Sequence, residues 1–109
     1  LIGKETVSYA CTFACKEHGC NWSVKFEEDV LTITNNNNRS ESFKKGMFVI
    51  YDWEEKSRQE LNEKVFLLKP GEVKLLPCRL EPTQVISIKI TPEKEILLLP
   101  KFAIQGFNL

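Results

Sequence analysis

Histidine is almost absent: His18 is the only one in a chain of 109 residues. That rules out a copper site built on two imidazoles and leaves little for a histidine-centred nucleophile triad. Long hydrophobic runs are missing as well. The longest uncharged apolar stretch lies around Ile96 to Pro100, far short of the ~20 residues a membrane-spanning helix needs. No membrane insertion is expected. An excess of one charge is also lacking, since Lys and Arg total 15 and Asp and Glu total 15. Nucleic-acid binders draw much of their affinity from neutralising phosphates. Here the basic spots Lys44-Lys45 and Lys56/Arg58 have Glu41, Glu54, Glu55 and Glu60 beside them. Nucleic acid is not an expected partner.

Motifs that would mark chemistry are missing too. There is no G-x-G-x-x-G, no P-loop, no H-E-x-x-H and no G-x-S-x-G. The acidic groups Glu27/Glu28/Asp29 and Glu54/Glu55 fall in turn-like polar clusters, whereas acid–base work needs carboxylates that converge in a cleft. The sequence therefore assigns no catalytic residue and no cofactor.

What is present describes a folded domain. Hydrophobic residues make up 42% and charged residues 28%, the balance of a globular protein and not of a disordered one. At this length residues 1–109 form one domain, because two halves would each be too small to bury a core. Leu1-Ile2-Gly3 runs straight into Lys4-Glu5, with no signal peptide and no initiator Met, so a mature fragment or excised domain is expected.

Two-residue alternation dominates the chain. Trp22, Val24 and Phe26 alternate with Ser23, Lys25 and Glu27, and Leu31 and Ile33 with Thr32 and Thr34, as on half-buried strands. Met47 to Trp53 is apolar on both faces and reads as a central strand. Val65 to Leu68 and Val73 to Leu76 flank Lys69-Pro70-Gly71-Glu72, where Pro at i+1 and Gly at i+2 suit a type II turn. Ile86, Ile88 and Ile90 alternate with Ser87 and Lys89, and Thr91-Pro92-Glu93-Lys94 turns the chain into Glu95 to Leu99. A tail with Phe102, Ile104 and Phe107 follows Pro100.

The pattern predicts an all-β domain of about seven to nine short strands, built as a two-sheet antiparallel β-sandwich. Glu54 to Glu63 fits a short helix or a charged loop equally well. Asn35 to Asn38 reads as a tight surface loop, or alternatively as a ligand-contacting one. Tyr51 and Asp52-Trp53 fit core and edge packing, or else a binding face.

One cluster stands out. Cys11, Cys15, His18 and Cys20 lie within ten residues, and Cys78 is far downstream. Structural zinc is one reading, because thiolate and imidazole are its donors, although neither C-x2-C nor the usual Cys-to-His spacing is present. Disulfides are the favoured reading for Cys11, Cys15, Cys20 and Cys78, since four cysteines exceed ordinary cytosolic use. In that reading one cluster cysteine bridges to Cys78 and the other two pair locally. Closing a loop of about sixty residues contributes roughly 3–4 kcal/mol through chain entropy. Reduced, buried thiols are the third reading. The sequons Asn21-Trp22-Ser23 and Asn38-Arg39-Ser40 lean the same way as disulfides. Asn38, in a polar loop, is the stronger acceptor, and Asn21 beside Trp22 the weaker.

Leu31-Thr32-Ile33-Thr34-Asn35, then Phe43, Val49 and Asp52, then Phe66-Leu67-Leu68-Lys69-Pro70-Gly71-Glu72, resemble the immunoglobulin-like accessory sandwiches of modular secreted proteins. These include the sandwiches that follow the catalytic barrel of β-mannosidase-type glycoside hydrolases. The resemblance covers residues 31–76 and departs at the cysteine cluster, and the Cys…Trp…Cys framework of antibody domains is absent. It implies an immunoglobulin-like fold and no functional residues. The expected function is a non-catalytic extracellular or lumenal module that binds a protein partner or supports a neighbouring domain. Two alternatives remain: an accessory domain of a carbohydrate-active enzyme, where carbohydrate is the ligand, and a zinc-stabilised Cys/His adaptor in the reducing cytoplasm.

Overall fold

The computed structural model describes residues 4–15 and 20–99. Among them every regular element is a strand, as the alternation predicts. In chain order these are β1 (Lys4–Ser8), β2 (Ala10–Cys15), β3 (Cys20–Glu27), β4 (Val30–Asn35), β5 (Glu41–Phe43), β6 (Phe48–Asp52), β7 (Ser57–Glu60), β8 (Phe66–Leu68), β9 (Val73–Pro77), β10 (Gln84–Thr91) and β11 (Lys94–Leu98). A five-stranded sheet has the order β1-β11-β10-β6-β7 and a four-stranded sheet the order β2-β3-β4-β9, while β5 and β8 form a two-stranded ribbon. The strand number exceeds expectation because the first segment splits between both large sheets and three strands are very short. Nor is every pairing antiparallel. β1 runs parallel to β11 before the chain bends at Tyr9 and continues as β2 on the other sheet.

Local chemistry accounts for the hairpins. β3 and β4 pair from Trp22↔Asn35 to Glu27↔Val30. Their two-residue loop holds Glu28 at φ 53° and Asp29 at φ 63°. Positive φ at both loop positions is the type I′ arrangement, whose twist matches that of paired strands. Glu and Asp are costly there compared with glycine. At the β10–β11 turn, the Thr91 hydroxyl oxygen accepts the N–H groups of Glu93 at 3.2 Å and Lys94 at 2.9 Å. The Lys69–Glu72 turn forms as predicted: Gly71 sits at φ 80° and the Glu72 N–H donates to the Lys69 carbonyl at 2.9 Å. Its flanking strands do not pair with each other, however. β8 pairs with β5, and β9 with β4, so this turn carries the chain from the ribbon to the four-stranded sheet.

Both large sheets turn one face to a single core. Trp22, Val24, Phe26, Leu31 and Ile33 come from one sheet, and Phe48, Ile50, Ile86, Ile88, Ile96 and Leu98 from the other. Phe43 and Leu68 of the ribbon close one end. There the Trp22 ring lies 4.4 Å from Phe13 and 5.1 Å from Phe43, and Phe43 stacks on Phe66 at 4.9 Å. Each such ring contributes on the order of 1.5–3 kcal/mol by leaving water.

Two buried asparagines join the irregular segments to this frame. Asn35 ends β4 fully buried, so it belongs to the core and not to the surface loop expected for residues 35–38. Its Nδ2 donates to the carbonyls of Arg39 and Leu68, both at 2.9 Å, and its Oδ1 accepts the Asn37 N–H at 2.8 Å. Asn62 works the same way for residues 44–48, accepting the Phe48 N–H at 3.1 Å and donating to the Lys44 carbonyl. Such groups must be satisfied when buried, and each is satisfied by backbone of a loop and of the end of a strand.

Residues 54–63 are neither a helix nor simply a loop. Trp53 to Lys56 turn the chain and Ser57–Glu60 return as β7, the sheet edge, with all four side chains exposed. A charged edge strand discourages pairing with other chains, and exposure on both sides removes the alternation that marks a strand in sequence.

Candidate functional surfaces

The cysteines do not assemble as expected. Cys78 is a buried free thiol, and its N–H donates to the Asp29 carbonyl at 2.9 Å. That places it at the Glu28-Asp29 end of the four-stranded sheet. Cys20 begins β3 at the opposite end, with Cys15 as its register partner. Eight residues at ~3.3 Å each separate the two ends by about 25 Å, beyond the ~7 Å Cα separation that a disulfide spans. Cys11 is also a free thiol, on β2, with β3 and β4 between it and β9. The long bridge from the cluster to Cys78 is therefore not formed.

The zinc set fares no better as a whole. Cys11 and Cys15 lie four residues apart on one extended strand, about 13 Å, whereas each zinc thiolate must come within ~2.3 Å of the metal. Burial holds the Cys11 thiol up at about 11, and burial followed by the Asp29 charge does the same for Cys78. Both are protonated at neutral pH, which suits packing and opposes metal ligation or nucleophilic attack. Cys11 packs against the core that Cys78 helps to form. His18 and the side chains of Cys15 and Cys20 lie outside the described residues.

Asp52 has a structural task. Its Oδ1 accepts the N–H groups of Glu54 at 3.0 Å and Glu55 at 2.9 Å, and its Oδ2 accepts the Thr83 hydroxyl at 3.0 Å. The Glu55 N–H above all, with Thr83 and Glu54 after it, outweighs desolvation and holds this carboxyl below the usual carboxylate range. Asp52 thus caps the turn into β7. The alternative binding face splits up, with Asp52 buried, Tyr51 half-buried under the Arg58 guanidinium, and Trp53 exposed.

A polar cluster not visible in the sequence lies on the outer face of the five-stranded sheet. The Ser87 hydroxyl donates to Glu95, and Arg58 contacts the same carboxylate oxygen at 3.1 Å. Arg58 also sits 5.0 Å from the Tyr51 ring centre. Ser87 and Arg58 thus share one oxygen of the Glu95 carboxylate. The cluster ties the edge strand β7 to β10 and β11.

Two further surfaces emerge. An open groove of about 440 Å³ on the outer face of the four-stranded sheet is lined by Ala10, Thr12, Ser23, Lys25, Thr32 and Thr34, with Cys11 and Val24 between them. Small hydroxyl-bearing side chains dominate it, and Lys25 is paired with Glu27 at 3.4 Å. Asn21 is exposed on this same outer face, and Asn38 is exposed in the loop after β4. The second surface is apolar. Of the five exposed large hydrophobic side chains among the described residues, Val65, Leu67, Val73 and Leu75 fall on one eleven-residue stretch and Trp53 lies elsewhere. Sequence gave a faint sign of this, in that each alternates with a better-buried neighbour.

No family model matches the chain, and neither the curated proteins nor the solved structures contain a match to it.

Proposed function

We propose that this chain is a non-catalytic sandwich module of immunoglobulin-like type that works in an extracellular or lumenal setting and docks a neighbouring domain or protein partner. The order in which the chain visits the sheets supports the fold reading. β3 and β4 lie in one sheet, β6 and β7 in the other, β9 returns to the first, and β10 and β11 close the second. Such alternation between two facing sheets characterises Greek-key sandwiches.

The observation that carries the docking role is the apolar stretch from Val65 to Leu75. Its four exposed side chains are between 50% and 59% accessible. Clustered exposed apolar side chains mark contact surfaces. The partner is a protein surface of matching apolar character.

A photoreactive amino acid placed at Leu67 or Leu75 in the protein, with Lys94 as control, tests this. Cross-links to a neighbouring domain or partner from positions 67 and 75, and not from 94, are expected. Equal labelling at all three positions would overturn the docking role.

A further inference from the structure

The outer face of the four-stranded sheet has the geometry of a carbohydrate-bearing surface. β3 alternates strictly: Trp22 is buried at 5% exposure, Asn21 is exposed, and Ser23 lies outward beside it. Residues i and i+2 of a strand share a face. Trp22 therefore anchors the strand inward and holds both chemical groups of the sequon, the Asn21 amide and the Ser23 hydroxyl, on the solvent side. The buried tryptophan, which in sequence counts against Asn21, fixes its outward position.

The surroundings suit an attached sugar. Ala14 faces Asn21 in register and is itself exposed, so the register neighbour on β2 is a single methyl group. On the other side Asn36 donates its N–H to the Asn21 carbonyl at 2.9 Å and its Nδ2 to the Ser23 hydroxyl oxygen at 3.1 Å. These bonds hold the strand end while leaving the Asn21 side chain outside them. From Ser23 onward the same face becomes the groove of Thr12, Thr32 and Thr34. Its hydroxyls donate and accept hydrogen bonds, its methyl groups give apolar contact, and no unpaired charge enters it.

We infer that Asn21 is an N-glycan acceptor whose first sugars lie along the Thr12–Thr32–Thr34 groove. This rests on the extracellular or lumenal reading above. The donor is an oligosaccharide joined through its anomeric carbon to a lipid diphosphate. Asn21 Nδ2 forms a bond to that carbon, the carbon–oxygen bond to the diphosphate breaks, and the lipid diphosphate leaves. The amide nitrogen releases one proton to the transferring enzyme. No oxidant or reductant is involved.

The test is secretion of the full chain from a glycosylating host behind a leader, with amide-cleaving glycosidase treatment of wild type, Asn21→Gln, Asn38→Gln and the double variant. Asn38, exposed in the loop after β4, serves as the control for sugar transfer in that host. A glycosidase-sensitive mobility shift that persists in Asn38→Gln and is lost from the double variant supports the inference. Magnetisation transfer between the first sugar's N-acetyl methyl and the methyls of Thr12 or Thr34 is then expected. Modification at Asn38 alone overturns the inference and leaves the extracellular reading standing. Modification at neither site, in folded secreted protein, overturns the glycan. Recovery of the native protein with four free thiols from a reducing compartment overturns the reading it rests on. A glycan at Asn21 without transfer to the groove threonines overturns the groove contact.

Discussion

The two large sheets present opposite kinds of outer face. On the five-stranded sheet, Val85, Leu97 and Leu99 are buried together with Tyr51 packed beside them, and Ser87 is buried at 1% exposure. On the four-stranded sheet the equivalent positions carry Ala10, Thr12, Ser23, Thr32 and Thr34 around an open groove, with Val73 and Leu75 half exposed. A strand apolar on both faces belongs to a sheet covered on both sides, and a strictly alternating strand to one with a solvated face. The first face is built for packing and the second for contact with solvent, sugar or a partner. Conserving the fold therefore places heavier demands on the outer positions of β10 and β11 than on those of β3 and β4.

The sharpest way to break this comparison is a pair of matched truncations. Leu97→Ala should cost about 2–5 kcal/mol in urea unfolding, as for any buried leucine, whereas Leu75→Ala should stay within about 0.5 kcal/mol. Equal losses would show the two faces to be alike. Next in size is Asn35→Asp, which keeps an acceptor for the Asn37 N–H but loses the donors to Arg39 and Leu68. A loss of about 2–3 kcal/mol is expected from the stranded buried groups, with little change for Asn36→Asp on the exposed side.

The thiols give a pH signature. Their folded values near 11 exceed the unfolded value, so their stabilisation is complete below about pH 8.5 and fades as pH rises toward 11. Thermal unfolding followed from pH 7 to 10.5 should show an alkaline decline that is smaller in Cys11→Ala/Cys78→Ala relative to that variant's own neutral-pH value. A decline of the same size in the variant would refute the assignment. Smaller again is Arg58→Ala, which removes a part-exposed ion pair with Glu95 and should cost at most about 1 kcal/mol, less in high salt. At the bottom is Thr34→Ala, expected within about 0.5 kcal/mol by the same unfolding measurement.

Much of the architecture was legible in the residues. Alternation across Trp22–Phe26 and Leu31–Thr34 located β3 and β4 and the faces they bury, and Pro70-Gly71 located its turn. β7 was not legible, because Ser57-Arg58-Gln59-Glu60 is exposed on every side and carries no hydrophobic period. Asn35 was hidden for a different reason. A polar residue in an Asn run signals a loop locally, and only backbone distant in sequence, at Leu68, makes its burial tolerable. Of the candidate site residues, the exposure of Asn38 followed from its loop. That of Asn21 followed from an alternation whose weight was misjudged because a tryptophan stood beside it.

By itself the sequence determined which segments extend, which face of each is apolar and where several turns close, because side-chain period and turn chemistry act between near neighbours. It determined too that basic and acidic residues balance and that imidazole is limited to His18. Tertiary structure alone decided which strands pair: β8 with β5 and not with β9, and β1 with the distant β11. It also separated Cys78 from Cys15 and Cys20 by the length of β3 and from Cys11 by two intervening strands, and gathered Ser87, Glu95, Arg58 and Tyr51 onto one face. Those outcomes depend on how two sheets share one core, a balance of long-range burial that no local pattern encodes.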